Sequence, residues 1–451
     1  MTKSKSVAFL TLGCKVNSYE TDAMQKLFED SGYRIVNFAE LADVYVINTC
    51  TVTNIADRKS RQMLHRARKM NENAIVVAVG CYVQAAGEVL EQDEAVDIII
   101  GNNKKKDIIQ IIHEYEIIHE HEIESNFLTD TVLDLSEKAE YEELSIESVS
   151  EKTRAYIKIQ DGCNQFCSYC IIPYARGRVR SRAVEAVYDE VMNLVNKGYK
   201  EIVLTGIHLS SYGIDFDDSN EKTPHLLSLI VKLSRIDGLE RIRLGSLEPR
   251  IITEEFAKTL SGISKFCPHF HLSLQSGSNE TLQRMNRKYT VEEYYEKCQL
   301  LRKYFDNPAI TTDVIVGFPG ETEIEFDTSK EFLQKVAFAQ MHIFKYSVRK
   351  GTKAETLPNQ VKEEIKTKRS NILIELEAKL RQEYQNLFLG KVERILVEES
   401  LTVGGKDYFV GHNERYLKLA VSSDKDISNE IIQAKVIGQI DKEIMFCEIM
   451  D

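Results

Sequence analysis

Short apolar runs alternate with helical patterns in two separate stretches of this chain, and this alternation limits the folds it can adopt. Residues 6–112 contain the runs VAFLTL, VYVIN and AIVVAVG, with helical patterns such as SYETDAMQKLFEDSG between them. Strands joined by crossover helices form a parallel sheet that is covered on both faces. The first stretch therefore predicts such an α/β domain, with Ser18 as N-cap and Gly32 as C′ residue of its first helix.

The second stretch begins at residue 154 and repeats the alternation six times. Its strand-like runs are RAYIKIQ, EIVLTG, RIRLGS, HFHLSLQ, ITTDVIVG and QMHIFKYS. Six β/α units predict an open or partial (β/α)6 barrel. After a polar helical pattern at 361–388, runs such as VERILVEES and IIQAKVIGQI predict a small antiparallel β domain. The predicted fold class is α/β with this β domain appended.

An acidic segment separates the two stretches. Between Glu114 and Glu151 the chain has 13 acidic residues and one lysine, so this segment alone accounts for the formal charge of −12. It has no clear period, which predicts a solvated linker. The predicted plan is an N-terminal domain at 3–113, the linker at 114–149, the barrel at 150–377 and the β domain at 378–451.

The apolar runs and the cysteine content point to a cytoplasmic metalloprotein without a membrane span. No run approaches the ~20 apolar residues that cross a bilayer. The N-terminal apolar run reaches Gly13 without a small-residue cleavage site. Nine cysteines are too sparse for a disulfide scaffold and would leave one unpaired, so metal binding explains them better.

Three cysteines follow the first strand of the predicted barrel in the loop DGCNQFCSYC. Cys163, Cys167 and Cys170 have the spacing C-x3-C-x2-C, and soft thiolates this close together can hold an iron–sulfur cluster with one iron left open. A structural zinc site would want a fourth ligand, and the loop has none. Zinc and coincidentally buried cysteines remain the alternatives.

Three further cysteines each follow an N-terminal strand. Cys14 comes after VAFLTLG, Cys50 after VYVINT and Cys81 after AIVVAVG. The carboxyl ends of parallel strands lie along one edge of a sheet, where ligands bind. The pattern predicts a second iron–sulfur cluster with an open iron, and buried structural cysteines are the alternative.

These motifs together resemble the radical S-adenosylmethionine methylthiotransferase family. The family-like segments are TLGCKVNSYET, NTCTVT, VGCYVQ and DGCNQFCSYCIIPYARGRVRSR. The resemblance implies two [4Fe-4S] clusters, S-adenosylmethionine on the open iron of the barrel cluster, and a C-terminal TRAM domain that binds RNA. It also implies that a C–H bond becomes C–S–CH3, with one S-adenosylmethionine supplying a radical and another the methyl group. A reductant such as flavodoxin or ferredoxin is then required, and the second cluster takes part in sulfur delivery.

The element TLGCKVNSYE looks like the branch that modifies N6-threonylcarbamoyladenosine at position 37 of tRNA. The isopentenyladenosine branch tends toward GCQMN, and the branch that modifies a ribosomal-protein aspartate tends toward GCPKN. The predicted function is therefore methylthiolation of the threonylcarbamoyl base, with the other two substrates as alternatives. A non-catalytic, RNA-binding iron–sulfur redox sensor is an alternative of a different class.

Further residues are predicted to bind the cofactor and the RNA. Gly206, Gln275 and Gly317 each follow a barrel strand and are candidates for the S-adenosylmethionine pocket. A helical pattern at 57–71 and a run after the barrel cysteines are basic and predict phosphate contacts with an anticodon stem-loop, with solvated charge as the alternative. These basic residues are Arg58, Lys59, Arg61, Arg66, Arg68, Lys69, Arg176, Arg178, Arg180 and Arg182.

The predicted TRAM domain has an unexpected charge for an RNA-binding module. Residues 378–451 contain 10 Lys plus Arg and 13 Asp plus Glu, a net charge of −3. Phosphate contacts favour a basic surface. The domain is therefore expected to use either a local patch or aromatic residues such as Tyr408, Phe409 and Tyr416, which stack on bases.

Overall fold

The computed structural model describes residues 4–121, 131–135, 139–146, 153–216 and 225–450 of the chain. The elements of its N-terminal domain are β1 (Ser6–Thr11), α1 (Lys15–Asp30), β2 (Arg34–Val36), β3 (Val44–Thr49), α2 (Asn54–Met70), β4 (Ile75–Gly80), α3 (Cys81–Leu90), β5 (Ile98–Ile100) and α4 (Ile108–Glu120). The strands form one parallel sheet in the order β2-β1-β3-β4-β5. Tyr45 and Ile47 of β3 face one core, and Val44 and Val46 face another. The sheet is therefore covered on both faces, as predicted, which explains the continuous apolar runs.

The first helix begins earlier than predicted. The helix α1 starts at Lys15 with Cys14 in the N-cap position, and the backbone N–H of Ser18 already donates to the Cys14 carbonyl at 3.1 Å. The prediction of Ser18 as N-cap was therefore wrong. Gly32, with φ +83°, lies just beyond the helix end and confirms the predicted C′ glycine.

The second unit is a partial (β/α)6 barrel. Its elements are β6 (Arg154–Asp161), α5 (Ile172–Ala175), β7 (Arg180–Ser181), α6 (Val184–Asn196), β8 (Glu201–Gly206), α7 (His225–Leu233), β9 (Arg241–Leu244), α8 (Glu254–Ser261), β10 (His269–His271), α9 (Asn279–Arg284), α10 (Val291–Tyr304), β11 (Ala309–Val316), α11 (Glu323–Val336), β12 (Gln340–Lys345) and α12 (Glu363–Asn386). Strands β6, β8 and β9 are parallel, as are β10, β11 and β12. Two bridges, Ile242 to Phe266 and Leu247 to Leu272, join the two groups into one curved sheet.

The N-terminal domain spans the open side of the barrel between β6 and β12. From the β6 side, α1 packs against β6 and β8. From the β12 side, the Arg349 guanidinium donates to Thr51 at 2.6 Å and to Asp57 at 2.7 Å. The carboxyl ends of the barrel strands and the carboxyl edge of the N-terminal sheet are thereby brought next to each other.

The described parts of the acidic segment are packed rather than solvated. Helix α4 continues to Glu120, and Leu135 is buried. Leu144 and Ile146 belong to the barrel core, and the Ile146 backbone N–H donates to buried Glu190 at 2.6 Å. The expectation of a solvated linker is wrong at these residues, because enough apolar side chains are interspersed among the acidic ones to dock on the barrel. Residues 122–130, 136–138 and 147–152 lie outside the described residues.

The C-terminal unit is a closed five-stranded β-barrel. Its strands are β13 (Val392–Val403), β14 (Lys406–His412), β15 (Lys418–Val421), β16 (Ile431–Gln439) and β17 (Ile444–Ile449). They follow the order β13-β14-β15-β17-β16, antiparallel except for the pair β15 and β17. The predicted boundary at 378 falls inside α12, where Leu373 and Leu380 pack in the barrel core but Tyr384 packs in the β domain. Among the described residues, no helix is both long and apolar enough to cross a membrane.

The loop between β14 and β15 closes the amino-terminal end of the partial (β/α)6 barrel. Tyr416, with φ +66°, stacks between His269 at 5.0 Å and His412 at 4.3 Å between ring centroids. The guanidinium groups of Arg154 and Arg243 lie 5.0 and 4.9 Å from the same ring. The prediction that Tyr416 stacks on RNA bases is therefore wrong, since its ring is already stacked inside the protein. Tyr408 makes an edge contact with Phe446 within the β domain.

Candidate active site

The barrel cysteines lie in the loop that follows β6. Gly162, with φ +70°, begins this loop, and a Cβ there would lie 1.8 Å from the Arg178 carbonyl oxygen. The Cys163 N–H donates to the Gly177 carbonyl at 3.0 Å, and the Cys170 N–H donates to the Cys167 carbonyl at 3.0 Å. Burial raises the pKa of Cys163 to about 11 and that of Cys170 to about 12, and the neighbouring Cys167 contributes to both shifts. The structure therefore gathers the three sulfurs in a protected loop at the carboxyl end of the barrel.

Polar side chains from the segments after β8 and α9 surround this loop. The Arg287 guanidinium donates to the Cys167 sulfur at 3.3 Å, to the Ser273 carbonyl at 3.1 Å and to the Tyr289 hydroxyl at 2.9 Å. The Nδ1 atom of His208 is hydrogen-bonded to the Ser211 hydroxyl. Its Nε2 atom is buried and has no hydrogen-bond partner among the described residues. Burial, then Arg287, lowers the pKa of His208 to about 4, so this imidazole is neutral at pH 7. His208 follows the end of β8, which was a usable sequence signal, whereas Arg287 lies between α9 and α10 and had no such signal.

The three predicted S-adenosylmethionine residues all lie at the same end of the barrel. Gly206 closes β8 and leaves 2.9 Å between its Cβ position and the Gln160 side chain. Gln275 has φ +74°, and its N–H donates to the Asp313 carbonyl at 2.9 Å. The Gly317 N–H donates to buried Glu321 at 2.6 Å, and a Cβ there would lie 2.3 Å from Lys366 of α12. Gly317 thus has a clear structural reason to be glycine, and a role in cofactor binding stays a prediction for all three.

The N-terminal cysteines meet at the carboxyl edge of the parallel sheet. Cys14 precedes α1, Cys81 is the first residue of α3, and Cys50 follows β3 between them. Gly13, with φ +105°, approaches so closely that a Cβ would lie 3.0 Å from the Cys50 sulfur. Burial raises the pKa of the Cys50 thiol to about 11, and the other two cysteines contribute. Two helix N-termini face this edge, and their free N–H groups and dipoles favour negatively charged ligands.

The two cysteine triads touch the same short segment, Arg176-Gly177. Gly177 accepts the hydrogen bond from Cys163, and the Arg176 Nε donates to the Cys81 sulfur at 3.1 Å. Asn102 also points its amide at that sulfur, at 3.7 Å. Because Arg176 follows Cys170 by six residues, the loop of the barrel triad is the loop that contacts the N-terminal triad. The two sites therefore form one continuous region.

A buried charge cluster holds this region together. Arg176 is fully buried and donates to Glu20 at 2.8 Å and to both Asp161 oxygens at 3.1 Å. Lys158 lies 2.8 Å from Glu20, and Lys105 lies 3.2 Å from it. Burial alone would raise the pKa of Glu20, but Arg176, Lys105 and Lys158 outweigh it and hold this pKa well below the usual range. The cluster is thus charged at neutral pH and joins α1 to the barrel.

These contacts correct the predicted RNA site after the barrel cysteines. Arg180 and Arg182 are 2% and 3% exposed, and Arg182 pairs with Glu190 and Glu143. With Arg176 in the buried cluster, three of the four predicted arginines are buried inside the protein, so their assignment to phosphate contacts was wrong. Arg178 alone of the four is exposed, with its guanidinium 4.6 Å from the Phe166 ring centroid.

Helix α2 presents most of its predicted basic face to solvent. Five of its six basic residues are exposed, namely Arg58, Lys59, Arg61, Arg66 and Lys69. The sixth, Arg68, is half-buried, pairs with Asp97 and caps the carbonyls of Glu72 and Ala74. The prediction of a phosphate contact is therefore wrong for Arg68. For the exposed five the contact stays a prediction.

Two family models and several relatives match the chain. The Radical SAM superfamily model matches residues 157–333, and the model for Uncharacterized protein family UPF0004 matches residues 6–101. The threonylcarbamoyladenosine tRNA methylthiotransferase MtaB of Bacillus subtilis is 41% identical over 96% of this chain and 94% of its own length. The protein of the same name from Aquifex aeolicus is 42% identical over 91% of this chain and 97% of its own length. The tRNA-2-methylthio-N(6)-dimethylallyladenosine synthase of Pelotomaculum thermopropionicum is 32% identical over 96% of this chain and 95% of its own length.

The fold is also similar to that of a solved radical enzyme. The radical S-adenosylmethionine methyltransferase TsrM of Kitasatospora setae, solved with cobalamin and a [4Fe-4S] cluster bound, aligns with a TM-score of 0.57. The alignment covers 78% of this chain and 77% of that one at 16% sequence identity. At this identity the likeness concerns the fold alone.

Proposed function

The chain belongs to the radical S-adenosylmethionine methylthiotransferase family, and from this premise we propose that it methylthiolates N6-threonylcarbamoyladenosine at position 37 of tRNA. The proposal includes two S-adenosylmethionine molecules, one for the radical and one for the methyl group, and a reductant such as flavodoxin or ferredoxin. Two relatives of 41% and 42% identity are named for this base. The element GCKVN at Gly13–Asn17 supports the same substrate.

Membership of the family makes the protein an enzyme that uses S-adenosylmethionine and a [4Fe-4S] cluster. The non-catalytic redox sensor is therefore set aside. The relatives described above are named for tRNA, which favours a nucleic-acid substrate over a ribosomal-protein aspartate. The dimethylallyl base, for which the Pelotomaculum relative is named, is the competing substrate that an experiment must separate from the proposed one.

The residues of the barrel loop fit a cluster. Cys163, Cys167 and Cys170 would be its ligands, and a bound positive iron would favour thiolates that burial otherwise disfavours. Arg287 would donate its hydrogen bond to the Cys167 ligand and thereby stabilise negative charge on that sulfur. The buried, neutral His208 Nε2 would accept or donate to a bound cofactor without adding charge. When bound, the cluster with S-adenosylmethionine supplies a 5′-deoxyadenosyl radical.

The N-terminal triad fits a second cluster that takes part in sulfur delivery. Cys14, Cys50 and Cys81 would be its ligands, beside the N-termini of α1 and α3. The hydrogen bonds from Arg176 and Asn102 to the Cys81 sulfur would orient that ligand and raise the reduction potential of the cluster. Among the described residues, the one group of three histidine, cysteine or acidic side chains with ligand atoms all within 4.8 Å is His271, Asp313 and His342. The wider spacing of both cysteine triads suits a multi-iron cluster better than one zinc ion, whose ~2.3 Å bonds demand closely spaced sulfurs.

The observation that carries the proposal is the contact of one segment, Arg176-Gly177, with both triads. A substrate base must lose a hydrogen atom to the radical formed at one site and receive sulfur from the other. The two sites therefore have to open onto a common space. Exposed Arg178 on the same loop and the basic face of α2 flank that region and would contact phosphates of the stem-loop.

The test is an anaerobic reaction of the reconstituted enzyme with S-adenosylmethionine, a flavodoxin reductant and tRNA that carries threonylcarbamoyladenosine. Digestion and mass spectrometry are expected to reveal the 2-methylthio derivative of that base, together with 5′-deoxyadenosine. A parallel reaction contains tRNA with dimethylallyladenosine. Methylthiolation of the second tRNA and not of the first would refute the proposed substrate while leaving the family assignment intact.

A further inference from the structure

Among the described residues, Lys15 places a cation inside the barrel that has no acidic partner. Lys15, the first residue of α1, extends its side chain from the N-terminal domain toward β6, and its ammonium lies 6.0 Å from the Tyr156 ring centroid. It is close enough to interact electrostatically with the imidazoles of His269 and His342, which come from β10 and β12. Lys15 therefore reaches the interior that these strands enclose.

The charged side chains that act most strongly on Lys15, namely Arg154, Arg243 and Glu201, are already paired. Arg243 lies 2.7 Å from Glu201, and Arg154 lies 3.1 Å from Glu398. Asp313 lies 3.3 Å from the His271 imidazole. Within the part of the chain that the structure describes, Lys15 has neither a salt bridge within 4.0 Å nor a hydrogen bond from its ammonium. A half-buried charge without a partner is unfavourable, and an anionic ligand would remove that penalty.

The position of Lys15 relates this charge to the substrate. It directly follows Cys14 of the N-terminal triad, and its ammonium is close enough to interact electrostatically with the Cys14 sulfur. It is one of the two residues, with Val16, at which GCKVN differs from GCQMN and GCPKN, and glutamine or proline stands at its position in those motifs. The threonylcarbamoyl group carries a carboxylate, whereas the dimethylallyl group is an uncharged hydrocarbon.

We propose that the Lys15 ammonium binds the carboxylate of the threonylcarbamoyl group and thereby selects this base over the dimethylallyl base. The inference rests on the proposed function and adds to it a residue that determines specificity. The exposed imidazole of His342, whose ring centroid lies 6.0 Å from that of His271, supplies a further hydrogen-bonding group for the polar side chain of the base. A charge-assisted hydrogen bond of this kind changes affinity about 10- to 100-fold.

The experiment compares two synthetic anticodon stem-loops, one with threonylcarbamoyladenosine and one with its uncharged methyl ester. Fluorescence anisotropy gives the dissociation constant of each RNA, and methylthiolation assays give KM and kcat. The proteins are the reconstituted wild type, Lys15→Met, Lys15→Arg, and Lys258→Met as a control on the exposed surface of α8. Iron content and absorbance spectra establish that the compared proteins hold the same clusters.

The wild type and Lys258→Met are expected to bind the acid about 10- to 100-fold more tightly than the ester. Lys15→Met is expected to lose this preference, with a raised KM for the acid, while Lys15→Arg keeps most of it. Because the ratio of acid to ester is measured within each protein, a general loss of folding or RNA binding cancels. An unchanged preference in Lys15→Met, or equal weakening toward both RNAs, would overturn the assignment. A wild type that acts only on a dimethylallyl stem-loop would overturn the proposed function as well.

Discussion

Replacement of Arg176 by methionine tests whether the buried charge cluster holds the two cysteine sites together. Arg176 is fully buried and has hydrogen bonds to Glu20, Asp161, Asn17 and the Cys81 sulfur. Methionine has a similar length and no charge, so it removes these bonds with little loss of volume. The two carboxylates are then left in the interior with less positive charge around them.

The expected magnitude follows from the partners that remain. Removal of one member of a buried ion pair costs about 3–5 kcal/mol, because the other charge stays buried. Glu20 keeps Lys105 and Lys158, and Asp161 keeps Lys158 at 2.6 Å. We therefore expect a loss of about 3 kcal/mol, the lower end of that range. This corresponds to a roughly 100-fold increase in the fraction of molecules in which α1 has separated from the barrel.

Hydrogen exchange measures this opening where it occurs. Amides of α1 and β6 should exchange roughly 100-fold faster in Arg176→Met, whereas those of the C-terminal β-barrel should be unchanged. Loss of the hydrogen bond to Cys81 should also lower the reduction potential of the N-terminal cluster without a change at the barrel cluster. The matched control is Arg178→Met, two residues away and exposed. Exchange rates in Arg176→Met that match those of the control would refute the reasoning.

Three further predictions concern sulfur transfer, RNA binding and pH. Cys14→Ala should abolish methylthiolation but leave some cleavage of S-adenosylmethionine to 5′-deoxyadenosine, which chromatography measures. The double change Arg58→Gln and Lys59→Gln should weaken tRNA binding and lower the slope of log affinity against log salt by about 1–2. Burial and, to a smaller extent, the charge of Arg243 hold the pKa of His269 well below its usual range. This residue is therefore neutral in the folded state, and below about pH 6.5 it takes up a proton on unfolding. The melting temperature should therefore fall as the pH drops below about 6.5, and His269→Phe should reduce that dependence.

Each of these predictions has a control and a contradicting result. Cys298→Ala, a buried cysteine outside both triads, should retain both activities; loss of all cleavage in Cys14→Ala would argue against separate roles for the triads. Glutamine at exposed Lys258 and Lys335, on α8 and α11, should leave tRNA affinity as it is, and equal effects there would mean that α2 has no special part in binding. A His269→Phe protein with the same melting profile from pH 7 to pH 5.5 would mean that another group governs the pH dependence.

The sequence predicted the architecture because strands and helices are encoded by local periodicity. The apolar runs VYVIN and AIVVAVG became neighbouring buried strands, and the six later runs became the strands of the partial barrel. Three of the five N-terminal strands, β1, β3 and β4, are followed by a cysteine, and parallel topology alone brings these cysteines to one edge of the sheet. The spacing within DGCNQFCSYC likewise indicates a shared site without any knowledge of distant contacts.

What the sequence could not decide was the environment of charged and aromatic side chains. Arg176 and Arg178 look alike in the run ARGRVRSR, but Arg176 meets Glu20, 156 residues earlier, and Arg178 faces solvent. Tyr416 lies in a polar loop, yet it stacks inside the barrel against His269. Lys15 follows Cys14 in sequence, and only the docking of α1 on the barrel gives its ammonium a position inside. Local pattern fixes which residues form an element, but burial and pairing of a charge depend on which remote segment packs against it, and that is decided by the tertiary structure.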